Sequence, residues 1–238
     1  MAQLFAGTSG WAYASWKPDF YPEKLAQKKF LGYYATKLNT VEVNFTFRQL
    51  VKETTIQKWM QETPAEFRFG VKAHQVITHI KRLKGTEDFL PRFLATIEPL
   101  ASAGKLGPVL FQLPPNLKAD AALLKDFLVL LPRTLPAAFE FRHDSWFSDS
   151  TWDVLKSRDA ALCVAETEER TTPDVVTANF VYYRFRKPSY TGEERDAMIT
   201  RIQEHLAAGR NVFAYFKHEE TPEGALYAMD VLLSLREP

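Results

Sequence analysis

Three neighbouring segments, GPVLFQ at 107–112, DAALLKDFLVLL at 120–131 and AAFEF at 137–141, decide how this sequence folds. The first and third are short apolar runs rich in aromatic and branched residues, which is typical of buried strands. The middle segment repeats its apolar residues at helical spacing, and Asp120 before it is a candidate helix N-cap. A strand, a helix and a second strand in this order predict two parallel strands joined by a helical crossover.

The same alternation continues to both ends of the chain. Strand-type runs lie at 4–8, 40–44, 67–72, 107–112, 137–141, 160–165, 180–185 and 211–216. Amphipathic helical stretches lie at 30–38, 54–62, 89–101, 120–131, 150–157, 193–207 and 224–235, with Ser150 as a second candidate N-cap. Eight such units predict an α/β fold, a single (β/α)8 barrel of TIM type formed by one domain over 1–238, with an open doubly wound sheet as the alternative. Residues 166–179 are too short and Pro-interrupted for a full crossover helix, so we expect an irregular barrel with a reduced crossover after strand six.

Composition restricts the classes of partner. The 238 residues carry 30 Lys plus Arg and 29 Asp plus Glu, a formal charge of +1, which excludes both a generally basic nucleic-acid tail and an acidic disordered chain. The lone cysteine, Cys163, lies in an apolar run and is expected to be a small buried side chain. No stretch approaches the roughly 20 apolar residues that span a bilayer, and the first 30 residues lack a signal peptide's apolar core. We therefore expect a cytoplasmic protein without a membrane partner, and the sequence leaves its oligomeric state open.

Polar side chains gather where the predicted strands end, which is where barrel enzymes build their sites. In chain order these residues are Ser9, Trp11, Glu42, Asn44, Lys72, His74, Gln112, Glu140, Arg142, His143, Glu166, Arg184, Arg186, Lys217 and His218. Side chains alternate along a strand, so Glu42/Asn44, Lys72/His74, Glu140/Arg142 and Arg184/Arg186 are each predicted to share the inner face. Buried charges are costly unless they are paired or bind a ligand.

The basic residues of this set outnumber its carboxylates, which predicts an anionic ligand bearing a phosphate or carboxylate group. Glu42, Glu140 and His143 are the candidate catalytic residues. We expect burial and nearby cations to move the pKa values of the two glutamates in opposite directions, as in a general acid and base pair. The candidate ligand-binding residues are Trp11, Asn44, Lys72, Gln112, Arg142, Trp146, Arg184, Arg186 and Lys217.

Other chemistries compete with this interpretation. His74, His143 and His218 with Glu42, Glu140 and Glu166 offer metal-ligand atoms, but their spacing matches no short ligand motif, and we assign no metal and no cofactor. Aromatic residues in the same loops, Trp11, Tyr13, Trp16, Phe45, Phe47, Trp146 and Tyr190, provide either a stacking platform for sugars and bases or an apolar lid. Trp59 and Trp152 are expected in the core, while His79 and His205 are expected in a loop and on a helix surface, without a role.

Several longer motifs resemble one family. They are GTSGW at 7–11 with FYP at 20–22, VEVNFTF at 41–47, FRFGVK at 67–72, ITH at 77–79, FQLPP at 111–115, EFRHDSW at 140–146 and YF at 215–216. Together they resemble the YecE-like family, the domain-of-unknown-function family 72, over nearly the whole chain. The resemblance implies a TIM-type barrel, no established activity, and polar mouth positions at Glu42, Asn44, Lys72, Gln112, Glu140, Arg142 and His143.

The chain departs from the family's usual residues in three places. Arg184-Phe185-Arg186-Lys187 replaces the usual Arg-Xaa-His-Gly, Glu166 replaces an Asp, and Lys217-His218 replaces Asn-Asn. These changes favour an anionic ligand. The sequence thus predicts a barrel that binds a phosphorylated, nucleotide-like or other small anionic ligand, with hydrolytic chemistry on phosphate esters as one option. A nucleic-acid-binding module without catalysis, a metal-dependent phosphodiesterase and a non-catalytic scaffold with a structural ion-pair network are the alternatives.

Overall fold

In the computed structural model, which describes residues 1–217 and 221–235, eight parallel strands close into a barrel in sequence order. The strands are β1 (Leu4–Thr8), β2 (Thr40–Val43), β3 (Arg68–Lys72), β4 (Leu106–Gln112), β5 (Ala137–Glu140), β6 (Ala161–Glu166), β7 (Phe180–Phe185) and β8 (Asn211–Phe216). β1 closes the barrel by pairing with β8, from Leu4 opposite Val212 to Thr8 opposite Phe216. The predicted α/β barrel is confirmed, and the open sheet is excluded.

The described ranges contain seven α-helices on the outside of the barrel. They are α1 (Phe30–Tyr34), α2 (Glu53–Gln61), α3 (Leu90–Ser102), α4 (Ala121–Leu130), α5 (Asp149–Lys156), α6 (Gly192–Ala207) and α7 (Glu223–Ser234). Residues 167–179, between β6 and β7, form no α-helix and make one antiparallel bridge, Glu166 with Thr171. None of the helices in the described ranges is long and apolar enough to cross a membrane.

One of the two predicted helix caps is correct. The side chain of Asp120 accepts a hydrogen bond from the Leu123 amide and caps α4. Ser150 is not a cap, because α5 begins at Asp149 and its N-cap is Ser148, which has an extended backbone. Ser150 already lies within the first helical turn, where its own backbone is helical.

Alternation along the strands divides the barrel into two apolar layers. Outward residues such as Val41, Phe69 and Phe139 pack with the helices in the larger core. Inward residues near the amino-terminal ends of the strands, including Phe5, Phe180 and Phe213, fill the barrel interior together with the buried Cys163. The barrel floor is therefore closed by side chains, and the buried ion pairs of Arg184 lie toward the opposite end.

Two local features hold the barrel wall. Gly70 faces inward on β3, where an added Cβ would lie 2.4 Å from the Tyr215 hydroxyl, so only glycine leaves room for that ring. Lys105, just before β4, is buried and its ammonium donates to Met60 O (3.2 Å), Thr63 O (2.7 Å), Thr63 Oγ1 (2.9 Å) and Pro64 O (2.7 Å). The Lys105 side chain thus ties the end of α2 to the barrel.

Candidate functional site

An arginine joins two glutamates inside the carboxyl-terminal end of the barrel. Arg184 on β7 donates through Nη2 to Glu42 Oε1 at 2.7 Å and through Nη1 to Glu140 Oε2 at 2.5 Å. Arg184 is 2 % exposed, Glu42 0 % and Glu140 3 %. These charges stand at inward positions of β7, β2 and β5, as the alternation predicted, and folding brings them together from distant parts of the chain.

Further donors complete the shell of each carboxylate. Glu42 also accepts from the Tyr182 hydroxyl at 2.7 Å and from Asn44 Nδ2 at 3.2 Å. Glu140 accepts from both Gln112 Nε2 (2.9 Å to each oxygen) and Arg142 Nε (2.9 Å). Since every carboxylate oxygen has at least one donor, the burial of these charges is compensated. Arg184 Nε has no hydrogen-bond partner among the described residues.

The expectation of opposite pKa shifts for Glu42 and Glu140 is wrong. Burial alone would raise the pKa of Glu42, but Arg184, Arg186 and the Tyr182 hydroxyl outweigh it and hold that pKa below its ordinary value. Burial alone would also raise the pKa of Glu140. Arg184, Arg142 and Gln112 outweigh burial and hold that pKa well below its usual range. Both carboxyls are therefore ionised at neutral pH, because one buried guanidinium serves both.

Lys72, at the end of β3, is coupled to this network through an amide. Its ammonium donates to Gln112 Oε1 at 2.9 Å and lies 4.3 Å from the centre of the Phe47 ring. Burial lowers the pKa of Lys72 to about 8, assisted by Arg184 and Arg142 and opposed by Glu42 and Glu140. Lys72 is therefore the cation in this network whose charge changes near neutral pH.

Two further arginines lie at the edge of the network. Arg186 Nη1 donates to Ser9 Oγ at 2.7 Å, and burial followed by repulsion from Arg184 lowers the pKa of Arg186. The side chain of Arg142 is 45 % exposed. Among the described residues, neither Lys72 nor Arg186 forms an ion pair with a carboxylate, so two half-buried cations are not neutralised by direct contact.

An apolar cleft of about 310 Å³ lies after β1 and β2, and its lining includes Ser9, the residue that accepts from Arg186. Trp11 and Trp59 meet edge to face in its wall, with ring centres 5.5 Å apart, and Phe45 is half exposed at its edge. Ser9 and Asn44 line the cleft and also reach the charged network, where Asn44 Nδ2 donates to Ser9 O at 3.1 Å and to Glu42. The cleft and the network are therefore adjacent parts of one mouth.

Some of the predicted ligand-binding residues lie elsewhere. Trp146 is fully buried, stacks on Phe141 at 4.6 Å and donates its indole N–H to Leu117 O at 2.8 Å, so it belongs to the core. Half-buried Lys217 lines a small cavity of about 80 Å³ with Tyr190 and Tyr227. His143 lies on the rim, half-buried, where its Nδ1 is within hydrogen-bond distance of the Ser145 hydroxyl at 2.9 Å.

Two other residues that the sequence analysis grouped with the mouth lie outside it. His74 does not share the inner face with Lys72, because β3 has ended and His74 Nδ1 accepts the Val76 amide at 3.1 Å while its ring packs on Phe89. Glu166 pairs with Lys187 at 3.2 Å and Arg201 at 3.5 Å, on the helix side of β6.

His205 is buried instead of lying on a helix surface. Its Nε2 is 2.7 Å from the Tyr183 hydroxyl, and its Nδ1 accepts from Arg210 Nε at 3.1 Å. Of the other positions named from sequence, Trp59 and Trp152 are buried as expected, whereas His218 lies outside the described residues.

His79 is a mouth residue that sequence reasoning left without a role. It lies in a π-helical turn, Val76–Ile80, with its ring edge to face on Phe47 at 4.9 Å. Burial lowers the pKa of His79, and so does repulsion from Lys72 and Arg142. The signal in the sequence was its position seven residues after Lys72, in the loop that follows β3, where barrel sites are built.

Within residues 1–217 and 221–235, no group of three His, Cys, Asp or Glu side chains is arranged to hold a metal ion. The position between Glu42 and Glu140, where a cation would bind, is taken by the Arg184 guanidinium.

A sequence profile described as "Protein of unknown function DUF72" matches residues 5–237. The chain belongs to the DUF72 family. Among its relatives, the UPF0759 protein YunF of Bacillus subtilis is 31% identical over 160 residues, which cover 65% of this chain and 56% of YunF. The UPF0759 protein YecE of Escherichia coli K12 is 32% identical over 116 residues, 48% of this chain and 42% of YecE. The chain therefore matches only about half the length of these DUF72 relatives.

Two solved structures of DUF72 proteins resemble the whole barrel. That from Thermotoga maritima superposes with a TM-score of 0.86 and 25% identity, covering 99% of this chain and 100% of the other. That from Enterococcus faecalis has a TM-score of 0.79 and 18% identity, covering 99% of each chain, a likeness that shows the fold alone. The family is thus established, and its name describes no activity.

Proposed function

We propose that the mouth of this barrel binds a small anionic ligand through Lys72, Arg142 and Arg186. The observation that carries the proposal is the presence of two half-buried cations, Lys72 and Arg186, that form no ion pair within the described residues. Burying a cation without a counter-charge is unfavourable, and an incoming phosphate or carboxylate group would remove that penalty.

Arg184 has a different part in this proposal from the one its sequence position suggested. Its two terminal nitrogens pair with Glu42 and Glu140, and its side chain is enclosed by the barrel. Arg184 therefore organises the base of the site, and a ligand would meet the more accessible Arg142 and Arg186.

The cleft beside the cations would hold the rest of the ligand. Its wall is made largely of aromatic and aliphatic side chains, including Trp11, and its volume of about 310 Å³ suits a small organic group. We interpret residues 167–179 as a crossover reduced to an extended strap, because Arg170 in this segment donates to Arg142 O at 2.8 Å and pairs with Asp144. The strap would support the Arg142 loop at the rim.

The charge states restrict any reaction at this site. Glu42 and Glu140 are ionised and hydrogen-bonded, so neither is prepared to donate a proton as a general acid. Lys72, with its pKa near 8, is better suited to proton transfer. Anion binding through Lys72 should also weaken as the pH rises through about 8, since the ammonium loses its charge there.

Titration calorimetry with inorganic phosphate tests the binding proposal. Each charged hydrogen bond contributes about 1.5–3 kcal/mol, so Lys72→Met and Arg186→Met should each weaken phosphate binding roughly tenfold or more. Lys125→Met and Arg133→Met change exposed surface cations and serve as matched controls. If folded Lys72→Met and Arg186→Met bind phosphate as the wild type does, the proposal fails.

The same calorimetry, extended to an oligonucleotide, tests nucleic-acid binding as an alternative to small-ligand binding. The exposed Phe45 and the basic rim are the features that favour this alternative. Binding of an oligonucleotide through many phosphates should weaken steeply with salt, whereas one anionic group gives a slope near that of a single contact. Measuring inorganic phosphate and a single-stranded oligonucleotide at two salt concentrations therefore distinguishes a small-ligand site from a nucleic-acid surface.

A further inference from the structure

Lys72 has an unusual set of neighbours for a lysine inside a protein. It is half-buried, its ammonium donates to the neutral oxygen Gln112 Oε1 at 2.9 Å, and the Phe47 ring lies 4.3 Å away. In the described ranges it forms no ion pair, because the Gln112 amide stands between it and Glu140. The Lys72 ammonium is therefore held by a neutral oxygen and an aromatic ring, without a carboxylate in direct contact.

The nearby charges act in both directions, since Glu42 and Glu140 raise the pKa of Lys72 and the arginines lower it. Burial is the largest cause that lowers the pKa of Lys72 to about 8, and Arg184 and Arg142 add to it. At pH 7.5 such an amine is neutral in about a quarter of molecules, against about one in a thousand for a lysine at its ordinary pKa near 10.5. A desolvated lysine beside other cations is the arrangement that makes an amine nucleophilic.

We propose that Lys72 forms a Schiff base with an aldehyde or ketone that also bears an anionic group. The inference rests on the proposed function, since Arg186 and Arg142 would hold the anionic group while the carbonyl carbon meets Lys72 Nζ. It names the ligand class of that site as anionic carbonyl compounds.

The step balances without an oxidant or reductant. The nitrogen lone pair of neutral Lys72 attacks the carbonyl carbon, and the amine proton passes to the carbonyl oxygen to give a carbinolamine. The hydroxyl of the carbinolamine then takes up one proton from solvent, equivalent to the one that the Lys72 ammonium released, the carbon–oxygen bond breaks, water leaves, and a protonated imine remains. Its N–H can donate to Gln112 Oε1 in place of the ammonium, and its positive charge is the one that Phe47 already faces.

The imine also suits the ionised glutamates. A cationic imine withdraws electrons from the carbon next to it, which favours loss of a proton or cleavage of a carbon–carbon bond at that position. Glu42 and Glu140 stay ionised near the imine without contacting Lys72, since Arg184 and Gln112 hold them in place.

Reductive trapping tests the inference on the full chain. The protein is incubated with glycolaldehyde phosphate and cyanoborohydride, and modified lysines are mapped by peptide mass spectrometry; unphosphorylated glycolaldehyde is the matched probe. We expect Lys72 to be modified at least tenfold faster than exposed Lys125, with a rate that rises as the pH approaches 8 and falls when inorganic phosphate is added. Lys72→Arg keeps the charge but has no nucleophilic amine, so it should bind phosphate and lose the modification at residue 72.

The outcomes separate the two proposals. Modification of Lys72 no faster than that of Lys125, with phosphate binding still dependent on Lys72 and Arg186, overturns the Schiff base and leaves the anion site standing. Equal modification by both aldehydes, unaffected by phosphate, overturns the anion site and with it the ligand class. Because the mapping uses wild-type protein, it decides the question even if Lys72→Arg does not fold.

Discussion

Replacing Arg184 with methionine should both destabilise the barrel and reverse the pH dependence of its stability. The substitution removes the donors that contact Glu42 at 2.7 Å and Glu140 at 2.5 Å and leaves two buried carboxylates. Breaking a buried ion pair by removing one partner costs about 3–5 kcal/mol. Arg184→Met breaks two such pairs, but the remaining donors to each carboxylate, among them Tyr182 and Gln112, offset part of the cost of breaking the second pair. We therefore expect a loss of about 3–5 kcal/mol at pH 7, a large share of the roughly 5–15 kcal/mol typical of a domain.

The pH dependence follows from the direction of the pKa shifts. In the wild type the pKa values of Glu42 and Glu140 lie below their ordinary values. Their contribution to the free energy of unfolding is therefore present above the unfolded-state pKa and is lost as the pH falls through the folded-state pKa. Without Arg184, burial dominates and raises both pKa values. The variant should then gain stability as the pH falls from about 8 to 5, where the wild type changes little at these groups.

Urea unfolding followed by circular dichroism across this pH range measures both effects. Arg133→Met, on the surface, is the control. Arg184→Lys retains a charge and should lose less, which keeps the comparison available if Arg184→Met does not fold. A loss below about 1 kcal/mol at pH 7, or a wild-type pH profile in the variant, would refute the assignment of Arg184 as the shared counter-ion.

Three other substitutions test features outside the network. Lys105→Met should lower the free energy of unfolding by about 2–4 kcal/mol, because the oxygens around its buried ammonium lose their donor; urea unfolding measures this. Gly70→Ala should cost about 1–3 kcal/mol, since the added Cβ would lie 2.4 Å from the Tyr215 hydroxyl; thermal unfolding measures it. His205 accepts from Arg210 only when neutral and burial lowers its pKa, so wild-type stability should fall from about pH 7 to 5.5, and His205→Gln should reduce that fall, as urea unfolding at both pH values would show.

Matched variants provide the controls. Lys125→Met removes an exposed lysine and should change stability little, and at Gly192 an added methyl group meets nothing within 4 Å. Equal losses for Lys105→Met and Lys125→Met, or for alanine at Gly70 and Gly192, would contradict the packing described. An unchanged pH profile in His205→Gln would remove His205 from the groups that titrate on folding.

The alternation of strand-type and helix-type segments was enough to predict most of the fold. Apolar alternation in the strands is a local property, so the inward positions of Glu42, Glu140 and Arg184 could be predicted from the sequence. Their mutual contacts could not, because Arg184 lies 142 residues from Glu42 and 44 from Glu140. The sequence therefore indicated a cationic mouth, but it did not indicate that one arginine forms ion pairs with both glutamates.

Several of the errors occur where a strand ends. Glu166 was grouped with the mouth residues because it ends β6, but Cys163 faces inward, so alternation turns Glu166 outward. The predicted inward position of His74 was wrong for another reason, since the chain leaves β3 after Lys72 and turns. Trp146 was placed in the mouth by its loop position, whereas packing on Phe141 and a backbone acceptor at Leu117 draw it into the core.

The orientation of the Gln112 amide has a consequence for how this site could change. Its nitrogen is committed to both oxygens of Glu140, so its oxygen must face Lys72. The neutral amide thus holds the Lys72 ammonium in position by a hydrogen bond and keeps it apart from the Glu140 carboxylate. Replacing that single amide nitrogen by oxygen, as glutamate would, removes the donor to Glu140 and places a second carboxylate between Glu140 and Lys72. The charge balance of the mouth therefore depends on Gln112 remaining a neutral amide, because its two ends join a cation to an anion.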